Sequence, residues 1–343
     1  MKKQISFLFM LLAFLSCVQK QETSIEAITV EVEDFQDKEL EMNDFISDAS
    51  TILLYADSLG YIGQIKDMCV VDSFLYVLDG VTASLTQFYA ESGKQKSTIC
   101  RRGNGPFEYI QPVALTSDGQ YLYLLDLPGM SIIAFDAALQ GVKEVSLTFP
   151  CMDFVRTDDG FLCYNAAPTE DLGRIVYVDN EGKIGDSFLP GNGGMPYSPG
   201  AKVFVKNSRD EIFINLPFSR TVYQWNCSKK QPEEYLVFDF GGKNIPADAD
   251  LNRMNVFEEP YVVPSTFFQV GDTSLYSFLY AQKRYYTVVS PEGVQVGVVP
   301  EDSECPFFPQ WQVGDKLAGT YSAPFPETTE DDGGEVLSLF LLK

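Results

Sequence analysis

One segment recurs along this chain, and a whole-unit repeat limits the fold more than any single motif. Asp72-Ser73-Phe74-Leu75-Tyr76-Val77-Leu78-Asp79 returns as Asp118-Gly119-Gln120-Tyr121-Leu122-Tyr123-Leu124-Leu125-Asp126. Degenerate copies follow at 158–165 and 209–215. In each, a polar turn feeds a β-branched or aromatic run that ends in Asp or Asn, the pattern of a tight hairpin entering a strand. A second hairpin follows every copy, for example Leu85 to Tyr89, the turn Glu91-Ser92-Gly93-Lys94, then Gln95 to Ile99. Four short strands per unit form the blade of a β-propeller. A fifth unit runs from Phe267 through Tyr280 and Tyr285 to Val289, and a sixth from Trp311 through Tyr321 to Leu341. The sixth lacks an outer strand, which Thr51-Ile52-Leu53-Leu54-Tyr55 can supply from the N-terminal side. The expected fold is therefore all-β, a six-bladed propeller over 46–343 with four-stranded blades and an N-terminal strand closing the last one. A β-sandwich also tolerates frequent turns, but not whole-unit self-similarity.

Ahead of the repeats, Lys2 and Lys3 precede an apolar run from Ile5 to Leu15, too short for a permanent span. The run stops at Ser16-Cys17, which resembles the lipobox of a bacterial lipoprotein, where the Cys17 thiol takes the lipid. An ordinary secretory signal cleaved near Ser16 is the alternative. Residues 1–16 are thus expected to be a signal peptide and 17–45 an acidic tether. The chain carries 25 basic and 48 acidic residues, a net charge of −23. Such a surface repels phosphate backbones and anionic lipid headgroups, so a nucleic-acid partner is not expected and membrane attachment has to come from acyl chains. Surface export of lipoproteins that this segment resembles goes with acids soon after the lipidated Cys, and here Val18-Gln19-Lys20-Gln21 intervenes before Glu22, so the resemblance implies the periplasmic leaflet of the outer membrane rather than the cell surface. The expected protomer is a monomer.

There is no His, so neither a Ser-His-Asp triad nor an imidazole metal site can form. Six cysteines follow Cys17 without a C-x-x-C spacing, and most sit among apolar neighbours, as small hydrophobes do. One insertion, Gly241 to Pro264, places Asp248, Asp250, Asn252 and Glu259 at EF-hand positions one, three, five and twelve. Arg253 occupies the place where that loop needs Gly, so an Asp-capped short helix competes with calcium there, and no other cofactor is expected.

The stretch Tyr61-Ile62-Gly63-Gln64-Ile65, the strand Phe74 to Asp79 and above all Arg102-Gly103-Asn104-Gly105-Pro106-Phe107-Glu108-Tyr109 resemble the six-bladed β-propeller lipoproteins of Bacteroidetes, relatives of NHL-type propellers. Phe107 stands where Gly is common in that family. The resemblance implies fold and location and lends no catalytic residues.

Gly103 and Pro106 make a structural turn sufficient to explain the loop, and the echo at 191–197 supports an architectural role. Loops on a rigid scaffold are also where ligands bind. Arg101, Arg102, Asn104, Glu108, Tyr109, Tyr197 and Trp311 are accordingly the candidate ligand residues. Two functions stay open. A non-catalytic module binding a glycan, peptide or protein partner is preferred. The alternative is a glycan hydrolase or lyase built on carboxylates with Tyr or Arg, which two carboxylates about 5 to 9 Å apart in the channel mouth, one of them desolvated, would favour.

Overall fold

A computed structural model describes residues 27–55, 62–191, 202–246, 249, 260–300, 305–321 and 334–343. Its strands form six sheets. From the axis outward, blade 1 is Ile65–Val71, Phe74–Asp79, Leu85–Tyr89 and Gln95–Ile99. Blade 2 is Pro112–Ser117, Leu122–Asp126, Ser131–Phe135 and Gly141–Ser146, and blade 3 is Cys151–Arg156, Gly160–Asn165, Ile175–Asp179 and Ile184–Phe188. Blade 4 comprises Phe204–Lys206, Ile212–Asn215, Thr221–Asn226 and Gln231–Asp239, and blade 5 Val263–Val270, Thr273–Tyr280, Lys283–Ser290 and Gly293–Gly297. Blade 6 takes Trp311–Val313, Lys316–Tyr321 and Gly334–Leu342 from the C-terminal end. Its outer strand is Ile46–Tyr55, antiparallel to Gly334–Leu342, so the ring closes with strands from both ends of the chain.

Burial explains the sequence pattern. The second strand of each blade is covered on both faces by its neighbours, and every residue of Leu122–Asp126 and Gly160–Asn165 is buried. Such strands read as unbroken apolar runs, whereas outer strands such as Gln95–Ile99 are half-exposed and polar.

The Asp or Asn that ends each copy is a buried clamp. The Asp79 carboxylate accepts the backbone N–H groups of Val81 and Thr82 in the next turn at 2.8 and 2.6 Å. It also accepts those of Gly63 and Gln64 in the segment entering the blade, the latter at 3.1 Å. Burial pushes its pKa up, but these four donors outweigh burial and hold it below the usual carboxylate range. Asp126 repeats the arrangement with Gln111 and Gly129, Asn165 braces its own turn through Ala167 and Gly173, and Asn215 reaches Ser265 of blade 5.

The described part of the N-terminal segment packs along the outside of the propeller. Ile28–Glu31 pairs in parallel with Gln231–Asp239 and covers the outer edge of blade 4 as a fifth strand. The chain then crosses blade 5, where Leu40 N–H donates to Val298 O at 2.9 Å. It reaches blade 6 through the single turn Met42–Phe45, whose Phe45 ring packs edge-on against Phe307. Phe35 anchors this strap. It is fully buried among Phe240, Phe278, Tyr280 and Tyr285.

Candidate functional site

Two carboxylates and an ammonium group meet inside the ring at its axis. Register shifts between Ile65 and Asp67 and between Cys151 and Asp153 bulge the inner strands of blades 1 and 3 at the same place. A bulge re-aims side chains, and here each Asp reaches across a seam between blades. Asp67 Oδ2 accepts Leu115 N–H of blade 2 at 2.7 Å, and Asp153 Oδ2 accepts Val203 and Phe204 N–H at the entry to blade 4, at 2.8 and 3.2 Å. The remaining oxygens take the N–H groups of Met68 and Phe154, both at 2.9 Å.

Lys202 joins the two. Its Nζ lies 2.6 Å from Asp67 Oδ2 and 3.3 Å from Asp153 Oδ1. Burial raises the Asp67 pKa, and the Lys202 charge only partly offsets it. Burial pulls the Lys202 ammonium down, but Asp153 and Asp67 together outweigh that and hold it protonated far into the alkaline range. Counted with both carboxylates ionised, the formal charge of the three groups is −1, and 24% of the Lys202 side chain is open to solvent.

Above this cluster the channel widens into a cavity of about 420 Å³ that opens between the first hairpin turns of the blades. Phe154, Phe204, Phe268 and Trp311 supply its aromatic wall, and Asp118, Lys206, Asn207, Asp210 and Gln312 its polar parts. Aromatic walls with a few fixed polar groups are the usual make-up of a ligand cavity. Gln312 is held by a reciprocal pair of bonds to the Gln269 backbone, at 2.7 and 3.1 Å, which joins blades 5 and 6 at the wall.

Trp311 is the candidate residue that the fold brings to this cavity. The 101–109 loop lies elsewhere, across the seam between blades 1 and 2. Tyr109 is fully buried there, its hydroxyl accepting Arg101 N–H at 3.2 Å. Glu108 closes the turn by accepting Gly105 N–H at 2.8 Å, and Phe107 takes the left-handed conformation with φ 59°. Arg101 donates to Leu139 O of blade 2 and Arg102 to Val81 O of blade 1, at 3.0 and 2.9 Å. Asn104 is exposed. A Cβ at Gly103 would meet Glu108 Oε2 at 1.9 Å, so the glycine admits the turn-closing carboxylate. These contacts are those of a turn that ties two blades together.

Cys17, Tyr197, Asp248, Asp250, Asn252 and Glu259 lie outside the described residues. Among the described residues no group of three or more acidic or Cys side chains is placed to hold a metal ion, and no helix is long and apolar enough to cross a membrane. Of the described cysteines, Cys151 and Cys163 are buried and Cys100 and Cys227 exposed.

Sequence reasoning missed the Asp67, Asp153 and Lys202 cluster, although a signal was present. Asp67 stands twelve places before Asp79, and Asp153 twelve before Asn165.

Six four-stranded blades around a lined axial cavity define a six-bladed β-propeller. Residues 26–341 match the family described as domain of unknown function DUF4934, and the chain belongs to that family. A protein of Bacteroides fragilis described as exported shares the fold at TM-score 0.74 and 16% identity, over 92% of this chain and all of its own. A member of the DUF4221 family from Bacteroides vulgatus aligns at TM-score 0.61 and 9% identity, over 87% of this chain and 98% of that one. Virginiamycin B lyase from Staphylococcus aureus aligns at TM-score 0.50 and 11% identity, over 86% and 100%. At these identities the likeness is one of fold. No protein of curated function matches the chain in sequence.

Proposed function

We propose that this propeller is a non-catalytic binding module, held outside the cytoplasm by lipid on Cys17, whose axial cavity receives a glycan or peptide segment. The observation that carries the proposal is the state of the two carboxylates at the base of the cavity. All four oxygens of Asp67 and Asp153 accept backbone N–H groups, and Lys202 binds both side chains. A general acid or base needs an oxygen free to exchange a proton with a substrate, and these are committed to bracing blades 1 to 4. The cavity then offers what a binder uses, flat aromatic surface beside oriented polar groups.

An exported Bacteroides propeller of the same fold supports placement beyond the inner membrane, and the run from Ile5 to Cys17 supports an anchor. Replacement Cys17→Ala is expected to move the protein from the membrane to the soluble fraction, and unchanged membrane retention would refute the anchor.

A thermal-shift panel of glycans and peptides on residues 18–343 tests the binding assignment. A ligand at a hundredfold excess over its Kd adds about 2.7 kcal/mol of stability. The module is expected to return its ligand chemically unchanged after incubation, and consumption of the ligand would make it an enzyme.

A further inference from the structure

A second site stands apart from the axial cavity, at the start of the third strand of blade 5. Arg284 is partly buried, yet among the described residues no carboxylate lies within ion-pairing distance of it. In a chain with 48 acidic residues against 25 basic ones, a sheltered cation without an acidic partner is an anomaly that needs a reason. Burial lowers its pKa below the ordinary guanidinium value, a direction a neighbouring carboxylate would reverse.

The guanidinium is nevertheless rigidly held. Nη1 donates to Ser265 Oγ at 2.9 Å and to Ser277 Oγ at 3.2 Å, and the Phe308 ring centroid lies 4.8 Å from the guanidinium carbon. Ser277 is fixed in turn by Thr266, whose hydroxyl lies 2.6 Å away and whose N–H donates to it at 3.1 Å. Every described bond therefore falls on one nitrogen. Nε and Nη2, the two donors that form the planar fork, have no described protein partner, and neither is sealed from solvent. Beside them Phe308 is 38% exposed, an apolar surface next to the fork.

We propose that Arg284, oriented by Ser265 and Ser277 and flanked by Phe308, is a receptor for one carboxylate group of a ligand, bound bidentately through Nε and Nη2. Two parallel N–H donors at fixed spacing match a planar carboxylate, and a partly desolvated setting strengthens the pair over a surface one. A sugar acid and a peptide C-terminus both carry this group.

Calorimetric titration of the full-length protein at low salt with glucuronate and with N-acetylglycine tests the site, with glucose and N-acetylglycine amide as neutral counterparts. Saturable binding of at least one carboxylate, and of neither neutral compound, is expected, and which carboxylate binds identifies the source. Arg284→Gln is expected to weaken that binding about tenfold or more, a loss fitting charge-assisted hydrogen bonds. Arg284→Lys, which keeps the charge and the ring contact but not the fork, is expected to weaken it as well and stands in if the Gln variant does not fold. Trp311→Ala, on the cavity wall, is expected to leave it unchanged, so the outcome is independent of the axial site. Absence of saturable carboxylate binding, or an affinity unchanged by Arg284→Gln, would overturn the proposal.

Discussion

Phe35→Ala probes whether the N-terminal strap is part of the folded unit. The Phe35 ring is 0% exposed and meets four rings edge-on, with centroids 4.9 Å from Phe278 and Tyr285, 5.4 Å from Tyr280 and 6.3 Å from Phe240. Truncating a fully buried Phe costs about 3–5 kcal/mol, and four edge-to-face contacts place this one toward the upper end. Unfolding entropy of about 2.1 cal/mol/K per residue converts that loss into a fall in Tm of about 4 to 7 °C for a chain of this length. Scanning calorimetry reads the shift directly. The strap leads into Ile46–Tyr55, the strand that closes the ring, so its release should also speed cleavage by a Glu-specific protease at Glu33 and Glu39. A Tm within about 1 °C of the wild type, with cleavage unchanged, would show that the strap adds nothing to the fold and that the aromatic box is not what holds it.

Replacing Lys202 with Met strands two buried carboxylates and is expected to cost about 3 kcal/mol in urea unfolding at pH 7. Asp67 already has a raised pKa, so its neutral form is the better tolerated in the fold, and lowering the pH toward 5 is expected to restore part of the variant's stability. A variant equally stable at both values would refute the electrostatic account. On the alkaline side, burial pushes Tyr109 and Tyr123 up to about 12. A raised acid stabilises the fold below the unfolded value near 10 and loses that contribution as the pH climbs to 12. Unfolding free energy is therefore expected to hold to about pH 10 and fall steeply above it, with Tyr109→Phe flattening the fall. An equally steep profile in that variant would remove Tyr109 from the explanation.

The blade period was legible because the second strands of blades 1 to 4 are buried on both faces and end in a clamp residue, so Asp79, Asp126, Asn165 and Asn215 mark it in the sequence itself. Closure by an N-terminal strand was legible for the same reason, since the sixth unit came up one strand short. The strap was not. Parallel addition of four residues leaves no turn signal, and Phe35 sits between acidic residues that read as a solvated tether. The candidate site was legible only at Trp311. Arg101, Arg102, Glu108 and Tyr109 form a polar, Gly-rich loop, the composition of a binding loop and equally of a seam between blades, and only the partners Leu139, Val81 and Gly105 decide between them. Asp67, Asp153 and Lys202 are joined by the ring across 135 residues, a separation that no local pattern spans.

Trp311 makes the central claim directly measurable. The chain has two tryptophans, so Trp225→Phe leaves Trp311 on the cavity wall as the sole indole emitter. Titrating this variant with a glycan or peptide that raises the melting temperature is expected to change Trp311 emission saturably, with the Kd that the thermal shift gives. A stabilising ligand that leaves the emission unchanged at saturation would place binding elsewhere and contradict the assignment of the axial cavity as the site.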